Sequence, residues 1–155
     1  MAELTHERAC LALRYDEVNG LLTWANGKPA GGQQRSTGYF RVTLDGVVYK
    51  THRLVWFMAT GEWPRGDIDH MDGNPANNAI ANLRDVTKAM NIQNQRRAHK
   101  NNKLGFLGVH ELRGKYRAAL WAGGRMRHLG AFDTPELAHA AYLDAKRVAH
   151  QGCTV

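Results

Sequence analysis

The sequence predicts an α+β chain of 155 residues built from two small modules. Three observations carry that reading. Short stretches alternate apolar and polar residues around two-residue turns, apolar residues recur at helical spacing near both ends, and the texture changes after the basic run "RRAHKNNK". The length suits one ordinary domain or two small ones, and a hydrophobic content of 43% is enough for packed cores.

Taken in order, Thr5 is the expected cap of a short helix in which Leu4, Arg8, Leu11 and Tyr15 recur at helical spacing. Asn19-Gly20 marks a tight turn between "RYDEV" and "LLTW", and the glycine-rich stretch from Gly27 to Gly38 reads as loop. In "GYFRVTLDGVVYKTHR", Phe40, Val42 and Leu44 alternate with polar residues and Asp45-Gly46 supplies a hairpin turn. "HRLVWFMATG" reads as a short buried helix closed by Gly61. "DIDH" is then a short strand, "MDGNPANNA" a turn-rich excursion and "NLRDV" a returning strand. Thr87 is the expected N-cap of a helix from Lys88 to about Arg97. Three strand candidates follow, "FLGVH", "GKYRAALW" and "RMRHLGAF", with Tyr116, Ala118 and Leu120 alternating against Arg117, Ala119 and Trp121. A final helix starts at Thr134-Pro135, and its expected apolar stripe is Leu137, Ala138, Ala141, Tyr142, Ala145, Val148 and Ala149, able to cover a small antiparallel sheet.

Charge narrows the function. There are 21 Lys and Arg against 14 Asp and Glu, a net charge of +7 and a pI near 9.7, which calls for an anionic partner, nucleic acid first and membrane surface second. The first residues show no hydrophobic run of signal-sequence or membrane-span length, so a cytoplasmic protein is the default expectation. Cys10 and Cys153 are the only cysteines and lack CxxC spacing, so neither a zinc cage nor a disulfide framework is indicated. Between Asp85 and Glu111 there are five Lys or Arg and no acid, which reads as a basic linker or a solvated helix end.

The segment "IDHMDGNPANNAIANLRDVTKAMN" holds the chemistry. Asp69 is a hard oxygen ligand, and His70, with an ordinary pKa of about 6.5, can accept a proton from water. Adjacent in a strand, the two project to opposite faces and, near a strand end, can diverge around one site. Asn91 can offer a second, neutral oxygen; two protein oxygens with otherwise open coordination suit Mg²⁺ or Mn²⁺. The Asn82 amide can bond across the loop and fix the orientation of His70. Each residue alone has an ordinary alternative, because a loop asparagine is usually a turn residue.

Together they resemble the HNH endonuclease family, in particular its phage and intron-encoded homing endonucleases, through "HRLVW", "IDHMDGNPANN", "NLRDVT" and Asn91 in that order. The resemblance extends upstream through "YDEVNGLLTW" and "GYFRVTLDG". Downstream, "GVHELRGKYRAALW" and "HLGAFDTPELAHAAY" resemble the Apetala-two type DNA-binding domain. The resemblance implies a ββα-metal nuclease module followed by a three-stranded antiparallel sheet packed on one helix. The expected boundaries are 1–95 for the nuclease domain, 96–104 for the basic linker and 105–152 for the DNA-binding domain.

It further implies that His70 is the general base, that Asn82 steadies it, and that Asp69 and Asn91 ligate a single Mg²⁺ or Mn²⁺. The reaction would be hydrolysis of a DNA phosphodiester, leaving 5′-phosphate and 3′-hydroxyl ends. Double-stranded DNA is the expected partner, with the protein a monomer or weak homodimer. Arg96, Arg97, Lys100 and Lys103 are the candidates for phosphate contacts, and Arg117, Trp121, Arg125 and Arg127 for a sheet lying in the major groove. The last four read equally as an ordinary solvated strand face. Arg53 either touches a phosphate near the cut or braces the core at a helix start. Arg84 either helps to neutralise the scissile phosphate or pairs with a surface charge. The rival functions are a DNA-binding regulator on an inactive nuclease scaffold and an RNA-binding protein.

Overall fold

The computed structural model describes residues 4–96, 98, 101–150 and 153. It is a mixed α and β chain with small antiparallel sheets, divided into two compact units, Met1–Lys88 and Ala89–Val155. Among the described residues no helix is long and apolar enough to cross a membrane.

In the first unit, the Thr5 side chain accepts from Arg8 N at 3.2 Å and starts α1 (His6–Ala12). The helix is shorter than its expected apolar pattern. Tyr15 falls in the next strand and Leu11 is exposed, because the chain buries Ala9 instead. β1 (Leu13–Asp16) pairs antiparallel with β2 (Leu21–Trp24). The glycine-rich loop includes a two-residue strand, β3 (Gly32–Gln33), which edges β4 (Phe40–Leu44) and β5 (Val47–Lys50). Asp45 and Gly46 both take positive φ, 51° and 78°, the backbone that a two-residue hairpin turn requires. α2 (Thr51–Thr60) follows directly, with Leu54, Val55 and Phe57 buried against Leu13, Val42 and Leu44. Trp63 stacks on Phe57, ring centroids 4.4 Å apart, and closes that core.

β6 (Asp67–His70) pairs antiparallel with β7 (Leu83–Val86). Asn82, expected to open the returning strand, instead ends a 3-10 turn, Ile80–Asn82. α3 (Lys88–Gln93) lies across the boundary between the units and is shorter than the expected helix. Asn94 N shares the carbonyls of Met90 and Asn91, at 3.1 and 3.2 Å, as a helix end does.

In the second unit, β8 (Val109–Leu112), β9 (Lys115–Ala122) and β10 (Arg125–Phe132) form an antiparallel sheet in the order β10-β9-β8. α4 (Pro135–Ala149) covers one face, its N-cap Thr134 accepting from Leu137 N at 3.3 Å. Val109, Ala118, Leu120 and Ala122 pack there against Ala138 and Tyr142. The expected stripe needs correction. Leu137 and Val148 are exposed, Val148 by 92%, and Ala149 is exposed with them. The inward face runs through Ala138, Tyr142 and Lys146, four residues apart, so that spacing and not hydrophobicity selects the buried lysine. The Lys146 ammonium donates to the Gln95 carbonyl.

Candidate active site

Strand geometry brings the chemistry together. β6 lies within the first unit's packing, so Ile68, Asp69 and His70 are all buried, Asp69 6% and His70 4% exposed. Register places Asp69 opposite Arg84. The Arg84 guanidinium donates to Asp69 Oδ2 from Nε at 2.9 Å and from a terminal nitrogen at 2.7 Å. Of the two readings for Arg84, the structure thus contains the charge pairing, with a buried carboxylate as partner.

Among the described residues, Asn78, His52 and Tyr39 lie against the His70 ring. Its Nε2 lies 3.1 Å from Asn78 Oδ1, the His52 ring meets it edge to face at 5.4 Å, and the Tyr39 ring lies at 5.7 Å. Burial pushes the His70 pKa below the ordinary imidazole value, outweighing the hydrogen bond that Asn78 Oδ1 accepts and the charges of Asp72 and Asp69, which act upward. His70 is therefore neutral at pH 7 and able to accept a proton. His52, 5% exposed, is pushed down to about 3 by burial first, then by His70, Lys50 and Arg53. Burial and the nearby Asp69 and Asp67 raise the Tyr39 phenol.

The asparagines of the intervening loop stand in for backbone partners. Asp72 Oδ1 accepts from Asn74 N at 2.8 Å, and Asp72 Oδ2 from Asn77 Nδ2 at 2.8 Å. Asn74 Oδ1 accepts from Ala76 N at 3.1 Å. The Asn82 amide ties both ends of the loop: Nδ2 donates to Asp72 Oδ1 at 3.0 Å and to Asn77 O at 2.9 Å, while Oδ1 accepts from Asp72 N at 3.0 Å. Asn82 does bond across the loop, but the side chain held on His70 Nε2 is Asn78. Nothing in the sequence singles out Asn78, since a turn asparagine and an orienting one share the same composition signal.

Arg53 braces the chain. It donates to Gly66 O at 2.7 Å and to Pro64 O at 3.2 Å, while Asp85 accepts from Arg65 N and Gly66 N at 2.7 and 2.8 Å. These bonds fix the entry into β6, which is the bracing reading of Arg53. Asn91 is half-buried on α3, in the second unit.

The donor chemistry at β6 fits a hard divalent cation. A carboxylate is a hard oxygen donor of the kind Mg²⁺ or Mn²⁺ takes, and here Asp69 Oδ2 is held by Arg84. Among the described residues no three or more His, Cys, Asp or Glu gather as a metal cluster, so a cation at Asp69 would take few protein ligands.

The proposed DNA-contact residues divide. Arg97 and Lys100 lie outside the described residues. Arg96 and Lys103 are exposed in the second unit. On the sheet, Arg117 and Trp121, the latter 60% exposed, point away from α4, together with Ala119. Register pairs Trp121 with Met126 and Ala119 with His128, but Arg125 with Ala122 and Arg127 with Leu120. Facing residues of an antiparallel pair share a side. The four expected residues therefore do not form one face: Arg125 and Arg127 lie on the helix-covered side, exposed at its edge, while Met126 and His128 join Arg117 and Trp121 on the open side.

The segment that holds this site is similar to known proteins. The model of the HNH endonuclease family matches residues 49–93, from the end of β5 to the end of α3, and so spans His52, Asp69, His70, Asn78, Asn82, Arg84 and Asn91. The chain is 37% identical over 75 residues to the DNA endonuclease I-HmuI of Bacillus phage SP01, covering 45% of this chain and 43% of that protein. It thus spans less than half of the length of that relative. It is 34% identical over 91 residues to Protein 3.8 of Escherichia phage T7, covering 57% of this chain and 74% of that protein. A solved structure described as "DNA binding and cleavage by the HNH homing endonuclease I-HmuI" aligns with a TM-score of 0.45 at 21% identity, covering 90% of this chain and 88% of that one. The family model lies on the strand pair that holds Asp69 and His70, so over residues 49–93 the chain is similar to the HNH endonuclease family.

Proposed function

We propose that the protein is a metal-dependent DNA endonuclease of the homing type, with His70 as general base. The observation that carries this reading is the buried His70 beside Asp69 on β6, inside the segment matched by the family model. His70 takes a proton from the water that attacks the scissile phosphate in line. Its low proton affinity keeps the ring neutral before the reaction, and its enclosure by Tyr39, His52 and Asn78 holds the lone pair in one direction.

Asp69 and Asn91 are the residues that would hold Mg²⁺ or Mn²⁺. When bound, the cation supplies charge stabilisation at the phosphate and at the leaving 3′ oxygen. Arg84, paired with Asp69, can turn toward substrate phosphate as charge develops there. Asn82 acts on the base at one remove, by tying the loop that carries Asn78.

Duplex DNA would be held by Arg96, Arg97, Lys100 and Lys103 through phosphates, and by the open face of the β8-β9-β10 sheet, an Apetala-two-like domain. Incubation of supercoiled plasmid with the protein in Mg²⁺, and again in EDTA, tests the reading. Nicked or linear product with metal only, bearing 5′-phosphate and 3′-hydroxyl ends, is the expected result. Salt-sensitive duplex binding without cleavage of any DNA would replace it with a regulator on a nuclease scaffold, and tighter binding to structured RNA at equal salt would change the substrate class.

A further inference from the structure

We infer that Asn78 is a positioning residue that holds His70 as the Nε2–H tautomer, with the β1–β2 hairpin as its buttress, so that Nδ1 is the nitrogen that meets water. The inference rests on the reading of His70 as the base. Asn78 is buried, 3% exposed. Its Nδ2 donates to Ala76 O at 3.4 Å, which turns Oδ1 toward His70 Nε2 at 3.1 Å. An amide oxygen only accepts, so the proton of a neutral ring facing it sits on Nε2 and the lone pair on Nδ1.

The Asn78 backbone is clamped from the N-terminal hairpin. The Tyr15 hydroxyl donates to Asn78 O at 2.7 Å, and Ile80 N donates to Glu17 O at 3.0 Å. Gly20, at φ 69°, approaches so closely that a Cβ there would lie 2.9 Å from Asn78 N and 2.3 Å from Ala79 N. Residues 15–20 are far from β6 in sequence, yet they fix the peptide whose side chain selects the tautomer. Tyr15 stays a donor through physiological pH because burial, with Glu17 and Asp16 nearby, pushes its pKa up to about 12.

The test is ¹⁵N–¹H correlation of the histidine-labelled protein at about pH 8, where an ordinary imidazole is neutral, with the His70 signals assigned by their loss in His70→Gln. The wild type is expected to show the Nε2–H pattern. Asn78→Ala is expected to lose it for a mixture, while Asn78→Asp, whose carboxylate also accepts, is expected to keep it. In cleavage assays Asn78→Ala should lower kcat about 10- to 100-fold with KM nearly unchanged, and Tyr15→Phe should have a smaller effect in the same direction. An Nδ1–H ring in the wild type overturns the inference outright, even if Asn78→Ala fails to fold. A folded Asn78→Ala with the wild-type tautomer overturns it as well. A wild type that shows the expected tautomer and its dependence on Asn78, but cleaves no DNA, overturns the nuclease reading and leaves the tautomer assignment standing.

Discussion

Asp69 and Arg84 face each other across β6 and β7, so the carboxylate proposed to bind metal is buried with a counter-ion that register alone supplies. Removing only the cation leaves a buried negative charge without this partner. Arg84→Ala should therefore cost on the order of 2–3 kcal/mol in urea unfolding, and Arg84→Ala with Asp69→Asn should be more stable than Arg84→Ala alone. His52 yields a prediction with a definite sign. Its pKa is about 3 when folded, against 6.5 ordinarily, so the unfolded chain binds the proton first as pH falls. The stability that neutral His52 contributes is complete above about pH 6.5 and is lost progressively down to about pH 3, with about 2 kcal/mol gone at pH 5. Thermal melts at pH 7 and 5 should show a smaller acid loss for His52→Phe than for the wild type. An equal loss would mean that His52 does not titrate in this way. At this scale the sequence sets Asp69 and His70 side by side on a strand, and the structure has both on β6 and buried. The sequence conceals Asn78, which reaches His70 only through a loop closed by other asparagines and by Tyr15.

The hairpins were the elements most legible in advance, since Asp45-Gly46 and the alternation of Phe40, Val42 and Leu44 carry turn and strand chemistry in a few adjacent residues. Helix faces were less so. α4 reads as a broad alanine-rich stripe, yet the small sheet beneath it takes a narrow row, and Lys146 enters that row, 1% exposed, because its ammonium finds the Gln95 carbonyl. A carbonyl so distant in sequence leaves no local signal. The same packing makes Gly108 critical. At φ 75°, a Cβ there would fall 2.0 Å from the Tyr142 ring, whereas Gly114, at φ 74°, has open space around it. Gly108→Ala should lose about 2–4 kcal/mol and Gly114→Ala only about 1 kcal/mol, compared by denaturant unfolding. Similar losses at both would show that backbone conformation, and not the Tyr142 contact, sets the requirement.

For the whole molecule, a net charge of +7 foretells an anionic partner but not which surface meets it. The strand register supplies that distinction, because Arg117 is on the open face of the second unit's sheet and Arg127 on the helix-covered side. If duplex DNA lies on the open face, Arg117→Ala should reduce the salt slope of binding by about 1, with Arg127→Ala changing it less. The reverse order would put the duplex elsewhere. Whether His70 is the base is decided by single-turnover cleavage of plasmid DNA in Mg²⁺ by the wild type and His70→Ala, with the DNA affinity of each measured in EDTA. The account predicts matched affinities and a rate reduced about 10²- to 10⁴-fold in the variant. A His70→Ala protein that cleaves at the wild-type rate would contradict it.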